Sequence, residues 1–119
     1  MKITIKIFCF LLLLNSCANI VAPTGGKKDV DPPKVLNFSI TENNKRDKIL
    51  TFEFNEYIQL NKWQENFFIS PPTKKNIQKK INGKTLNIFI PNDLEKQETY
   101  YVSLNSCIKD NNEGNVLEE

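Results

Sequence analysis

The sequence predicts an all-β domain, an antiparallel β-sandwich, in the larger part of its 119 residues. After Lys34, short runs of alternating apolar and polar residues recur about every ten residues, a spacing typical of sandwiches. An Asn82-Gly83 pair separates two of these runs, and both residue types accept the positive φ of a tight hairpin turn. No segment shows a convincing helical period, so strands and turns account for the whole domain.

The predicted strands, in chain order, are residues 35–40, 49–55, 56–60, 66–70, 76–81, 84–90 and 99–104. The clearest is 49–55, where Phe52 and Phe54 alternate with Thr51, which faces outward. A change of phase after it indicates a β-bulge. The remaining residues predicted to face the core are Leu36, Phe38, Ile40, Leu50, Leu86, Ile88, Ile90, Tyr100, Val102 and Leu104.

The amino terminus has the three-part layout of a bacterial secretory signal. Residues 1–6 are short and basic, residues 7–14 are almost entirely apolar, and Leu14-Asn15-Ser16-Cys17 follows. A membrane-spanning helix needs about 20 apolar residues, and this run is shorter. The ending Leu-Asn-Ser-Cys resembles a lipobox, the signal of bacterial lipoproteins. The resemblance implies removal of residues 1–16 and a lipid on Cys17, and the absence of aspartate at Ala18 favours the outer membrane.

The segment after Cys17 is predicted to be a solvated tether. It contains Gly25-Gly26 and ends in Pro32-Pro33, and it shows neither a strand nor a helix period. We therefore expect a signal peptide at 1–16, the lipidated cysteine and a flexible tether at 17–33, and the sandwich domain at 34–119.

Charge and residue usage exclude several classes of protein. The formal net charge of the chain is +2, and removal of residues 1–16, which hold Lys2 and Lys6 and no acid, leaves it neutral. A nucleic-acid binder would carry a clear positive excess. The chain has no histidine, the commonest general base and metal ligand. Because the lipobox resemblance implies that Cys9 is removed and Cys17 is lipidated, we expect Cys107 to remain as a single thiol and no intrachain disulfide to form.

Two groups of acidic residues are candidate sites. Glu53 and Glu56 could form a carboxylate pair, but a small sandwich lacks the cleft of a glycosidase, and solvated strand residues are the simpler interpretation. Asp110, Asn112 and Glu113 could suggest calcium, but the following glycine stands at the fifth position of the motif, where a ligand belongs. A plain Asp/Asn/Gly turn is favoured. We predict no catalytic, metal or cofactor site.

Four lysines, Lys74, Lys75, Lys79 and Lys80, lie in one predicted hairpin arm. They could contact anionic headgroups or lipopolysaccharide. We favour the alternative that they guard an edge strand against pairing with another sheet.

Aromatic residues offer one further candidate site. Trp63 and Tyr57 could form a platform on which a sugar stacks, with Phe67 and Phe68 nearby in sequence. The alternative, which we favour, is that Trp63, Phe67 and Phe68 plug one end of a small core.

An ordered set of motifs resembles the bacterial Ig-like domain of the S-layer-protein type. The motifs are Asp31-Pro32-Pro33, the run Ile-Leu-Thr-Phe-Glu-Phe-Asn-Glu-Tyr at 49–57, Ile69-Ser70-Pro71-Pro72, Thr99-Tyr100-Tyr101-Val102, and the turn Asp-Asn-Asn-Glu-Gly-Asn at 110–115. More narrowly, they resemble Bacteroidetes lipoproteins that carry one such domain directly after the anchor. The resemblance implies an Ig-like β-sandwich in an extracytoplasmic setting, and no shared catalytic residues.

Two functions are therefore expected, and neither is enzymatic. The first is a lipid-anchored module of the cell envelope that acts as a spacer or an interaction domain, held to the membrane through Cys17 and contacting other envelope proteins. The second is a domain that binds carbohydrate or a surface polymer through Trp63 and Tyr57.

The last strand of the sandwich is expected to be missing. Only residues 116–119 follow the turn at 110–115, which leaves one edge of strand 99–104 open. Two explanations stay open. The next residues of a longer protein supply the strand, which the resemblance favours, or the strand is borrowed from a partner or a second copy.

Overall fold

The computed structural model describes residues 25–118 and is all-β except for one helical turn. The elements are β1 (Val35–Glu42), β2 (Lys48–Phe54), β3 (Ile58–Leu60), α1 (Trp63–Asn66), β4 (Phe68–Ser70), β5 (Gln78–Asn82), β6 (Thr85–Ile90), β7 (Tyr101–Ser103) and β8 (Ile108–Asp110). Within these residues no helix has the length and apolar character that crossing a membrane requires.

The strands form one large sheet and two small ones. The large sheet has the order β1-β2-β6-β5, and β3-β8 and β4-β7 are two-stranded. All pairings are antiparallel. The predicted hairpin between β5 and β6 forms, and Gly83 in its turn has a φ of 63°. The two-residue loop is Gly83-Lys84, however, not the predicted Asn82-Gly83, because Asn82 is the last residue of β5 and pairs with Thr85. The predicted all-β antiparallel fold is confirmed.

The core lies on the inner face of the large sheet. Strict alternation places Leu86, Ile88 and Ile90 of β6 inward, as predicted, and all three are buried. Phe54 at the end of β2 is only 2% exposed. The other buried apolar residues are Leu50, Ile58, Trp63, Leu104, Cys107, Ile108 and Leu117.

Two short elements differ from the prediction. The helix α1 spans four residues, Trp63–Asn66, so it is too short to show a helical period in sequence. The strand β8 lies directly before the turn at 110–115, in a stretch with no predicted strand. Strand β8 pairs with β3 in a separate two-stranded sheet. The strand β3 therefore does not continue β2 past a β-bulge, as the sequence predicted.

The burial predicted for β1 is wrong. The strand forms, but Leu36 is 70% exposed, Phe38 48% and Ile40 58%. A register shift between Val35 and Asn37 breaks the alternation at Leu36. Phe38 and Ile40 keep the inner phase but are not covered, and their neighbour Phe52, predicted as core, is only half-buried.

The chain joins the domain before the first strand. Pro33 is buried, and the Asn115 side-chain amide donates a hydrogen bond of 3.1 Å to the carbonyl oxygen of Asp29. Lys34 and Asn55 exchange backbone and side-chain hydrogen bonds. Residues 29–34 therefore pack at the same end of the domain as the turn at 110–115.

Candidate functional site

An apolar groove opens between β1 and β7. It consists of two cavities of about 420 Å³ and about 550 Å³ that share Phe52 and Val102 in their walls. Phe38 and Ile40 line the first cavity, and Leu117 lines the second. We call this feature the β1–β7 groove.

The arrangement of strands explains why the groove is open. The β1–β2 register sets Phe38 beside Phe52, with ring centroids 4.8 Å apart, on the face that looks toward the opposite layer. In that layer β7 pairs with β4 along one edge only, and no strand of residues 25–118 lies along its other edge. The inner face of β1 is therefore left without a covering strand in the described part of the chain.

Asp110 fixes the turn that leads back toward this groove. Its Oδ1 accepts hydrogen bonds from the backbone N–H groups of Asn112, Glu113 and Gly114 at 2.6–2.9 Å, and its Oδ2 accepts one from Asn115 at 2.8 Å. Burial of the carboxyl would raise its pKa, but the four hydrogen bonds hold the pKa below its ordinary value. The carboxylate thus acts as the centre of a turn, as the favoured interpretation of this segment predicted. Among residues 25–118 no group of three or more His, Cys, Asp or Glu side chains is placed to hold a metal ion.

After the turn, residues 116–118 run back along β8. Val116 pairs with Lys109 in an antiparallel bridge. The backbone N–H of Leu117 donates to the carbonyl of Ile108 at 2.8 Å, and its carbonyl accepts from Ser106 at 3.1 Å. The buried Leu117 side chain forms part of the groove wall. The segment therefore pairs with β8 and contributes Leu117 to the wall of the groove.

The two candidate carboxylates Glu53 and Glu56 have different surroundings. Glu53 is exposed and accepts a hydrogen bond of 3.4 Å from the side-chain amide of Asn37. Burial raises the pKa of Glu56, and the nearby carboxylates of Asp110 and Asp29 raise it further. The hydrogen bond of Glu53 is that of a residue on a solvated strand surface. The raised pKa of Glu56 follows from the carboxylates that lie close together near the 110–115 turn.

The two candidate stacking residues differ in exposure. Trp63 is 8% exposed and stacks on Phe67 with ring centroids 4.3 Å apart, and the Lys79 ammonium lies 5.4 Å from its ring centroid. Tyr57 is 62% exposed, with the Lys84 ammonium 5.6 Å from its ring. Trp63 therefore belongs to the core cluster and Phe67 packs against that cluster, whereas Phe68, predicted to plug the core with them, is 53% exposed. Sugar stacking at Trp63 and Tyr57 stays a prediction.

The two edges of the large sheet are protected differently. At the β5 edge, Lys79 takes an inward-facing position opposite Ile88, and Lys80 is exposed beside it. Inward-pointing charges and edge lysines both discourage pairing with another sheet. The β1 edge instead exposes Phe38 and Ile40. The guarded edge agrees with the interpretation favoured for the lysines, and the β1 edge has no such protection.

Comparison with known sequences identifies the domain. The profile of a family described as bacterial Ig-like domain matches residues 29–119. The chain belongs to this bacterial Ig-like domain family. The match begins at Asp29, the residue whose carbonyl accepts the hydrogen bond from the Asn115 side chain. The matched region therefore includes the diproline segment that packs against the domain. No curated protein and no solved structure matches the chain. Cys17, the predicted lipidation site, and the predicted signal peptide at 1–16 lie outside the described residues.

Proposed function

We propose that the chain is a non-catalytic, lipid-anchored module of the bacterial cell envelope, in which the Ig-like domain serves as a spacer or an interaction domain. The observation that carries the proposal is the order of features in the chain. A basic start, an apolar run and Leu14-Asn15-Ser16-Cys17 stand directly before a bacterial Ig-like domain.

The anchor and the domain are close in sequence. The segment from Cys17 to Asp29 reaches at most about 40 Å when fully extended, so an anchored domain stays near the membrane surface. A single acyl chain binds a bilayer only marginally, and the several chains of a bacterial lipoprotein supply stable attachment. Because the Asp29 carbonyl accepts a hydrogen bond from the Asn115 side chain, the tether would enter the domain beside the 110–115 turn.

The polar residues that first suggested chemistry have structural roles, which supports a non-catalytic module. Asp110 is committed to four backbone N–H groups, and Glu53 pairs with a neighbouring amide. The feature left for function is an apolar surface, the β1–β7 groove, and an apolar groove favours binding over catalysis. Within the proposal, an interaction role is therefore preferred to that of a passive spacer.

Metabolic labelling tests the anchor. Cells that express the chain are labelled with a palmitate analogue, and their membranes are separated on a density gradient. We expect the wild type and the matched control Cys9→Ser to be labelled and to fractionate with the outer membrane. Cys17→Ser should remain an unlabelled precursor. Normal labelling of Cys17→Ser, or loss of label in Cys9→Ser, would contradict the proposed attachment.

A further inference from the structure

We propose that a polar cavity beside β5 binds an acidic sugar, that is, a sugar ring that carries a carboxylate or a phosphate group. The cavity has a volume of about 460 Å³ and lies between α1, β4 and the start of β5. We call it the β5 cavity. The proposal names a ligand class for the interaction role proposed above and rests on that role.

The walls of the β5 cavity belong to one continuous stretch of the chain. Every described lining residue lies within residues 63–79, and β5 is the edge of the large sheet opposite β1. The loop before β5 is held in place at two points. The Thr73 hydroxyl donates a hydrogen bond of 2.8 Å to the carbonyl oxygen of Lys75, and the Lys74 ammonium pairs with the Glu95 carboxylate at 3.2 Å. The cavity therefore does not arise from an end of the described chain.

The β5 cavity carries positive charge without an acidic partner. Lys75 and Lys79 line it, and none of its lining residues within 25–118 is acidic. Neither lysine forms an ion pair in the described part of the chain. The Lys79 ammonium lies 5.4 Å from the centroid of the Trp63 ring. The Lys75 ammonium donates to the neutral amide oxygen of Asn92 at 3.4 Å. Because Lys79 is half-buried, solvent screens a neighbouring charge less than it does at an exposed lysine. The cavity therefore favours an anionic group.

The other lining residues suit a sugar ring. The side-chain amides of Gln64, Asn76 and Gln78 line the cavity, and they make no hydrogen bond to another of residues 25–118. An amide both donates and accepts hydrogen bonds, as a sugar hydroxyl does. Phe67 and Ile69 pack against the core and give the cavity an apolar wall for the C–H face of the ring. An acidic sugar matches all three features, because it combines an anionic group, several hydroxyls and an apolar face.

The test uses the full chain, purified as it is expressed, and three probes with the same ring: glucuronic acid, glucose 6-phosphate and glucose. Trp63 is the one tryptophan of the chain and lines the cavity, so its fluorescence reports binding. We expect at least one acidic sugar to bind about tenfold more tightly than glucose, the gain from one charge-assisted hydrogen bond. A preference for glucuronic acid assigns the site to a carboxylated polysaccharide, and a preference for glucose 6-phosphate assigns it to a phosphorylated glycolipid.

A matched pair of variants locates the site. Lys79→Gln should weaken binding of the acidic sugar about tenfold and leave binding of glucose unchanged, because only the charge is removed. Lys80→Gln should leave both unchanged, because Lys80 is the next residue of the same edge strand but is not part of the cavity wall. Lys75→Gln, at an exposed position in the loop, should act like Lys79→Gln and tests the same charge where the core is not disturbed. Circular dichroism checks that all three variants are folded.

Three results would overturn the acidic-sugar proposal. The first is undetectable binding of both acidic sugars, or binding no tighter than that of glucose. The second is an equal effect of Lys79→Gln and Lys80→Gln on the binding of the acidic sugar. The third is binding of inorganic phosphate as tight as that of the preferred acidic sugar, because the cavity would then recognise an anion without its sugar. None of these results bears on Cys17, so failure here is distinguishable from failure of the proposed anchor.

Discussion

Two phenylalanines on the same strand give the sharpest test of the packing. Phe52 and Phe54 both face inward from β2, but Phe54 is 2% exposed and Phe52 is half-buried in the wall of the β1–β7 groove. We compare Phe54→Ala with Phe52→Ala and use Thr51→Ala as a reference on the opposite face.

The structure predicts a graded loss of stability. Phe54→Ala removes a fully buried ring and should cost about 3–5 kcal/mol. Phe52→Ala should cost about 1–2 kcal/mol, because part of its ring is already in contact with solvent. Thr51→Ala loses the hydrogen bond of 2.8 Å from its hydroxyl to the Asn87 side chain, which is worth about 1 kcal/mol.

Urea denaturation of the full chain, followed by tryptophan fluorescence, measures these free energies of unfolding. Comparable m-values across the variants are required, because they show that the same surface is exposed on unfolding. If Phe52→Ala costs as much as Phe54→Ala, the ring of Phe52 is fully covered in solution. That result would refute the open groove.

Three other predictions concern the turns. Asp110→Asn should lower the melting temperature at pH 7, because the lowered pKa of Asp110 means that its ionised form stabilises the fold. This stabilisation is lost as the pH falls through the folded-state pKa. The melting temperatures of variant and wild type should therefore converge below about pH 4 in thermal melts. Glu56→Gln should raise the melting temperature at pH 7, because the raised pKa of Glu56 means that its ionised form destabilises the fold; the gain should vanish near pH 4, and a gain that persists there would contradict the charge effect. Gly83→Ala should cost about 1–2 kcal/mol in urea titrations because its φ is 63° and Tyr57 lies 3.4 Å from the added Cβ, whereas Gly25→Ala, with open space around it, should be neutral.

The sequence predicts those strands whose position is set by residues close together in the chain. The alternation of Leu86, Ile88 and Ile90 predicted the phase of β6, and Gly83 predicted its hairpin with β5, although the turn lies one residue later than the predicted Asn82-Gly83. Both signals depend on residues that are neighbours along the chain or across one turn. The phase of β2 followed in the same way, with Leu50 and Phe54 buried.

Features that depend on distant strands were not predictable. Alternation shows which residues share a face, but it does not show whether another layer covers that face, so it predicts Phe38 and Phe52 as core residues although both are partly exposed. The groove arises because β7 has a described neighbour on one side only. The burial of Leu117 likewise depends on its pairing with Ile108, nine residues earlier in the chain and across the turn that Asp110 organises.

The most direct test of the proposed envelope role is the mass of the amino-terminal tryptic peptide of the purified chain. The proposed processing predicts a peptide that begins at Cys17, ends at Lys27 and carries the additional mass of a diacylglycerol group. An unmodified peptide from Ile7 to Lys27, which spans Cys17 and forms only if residues 1–16 are retained, would contradict it.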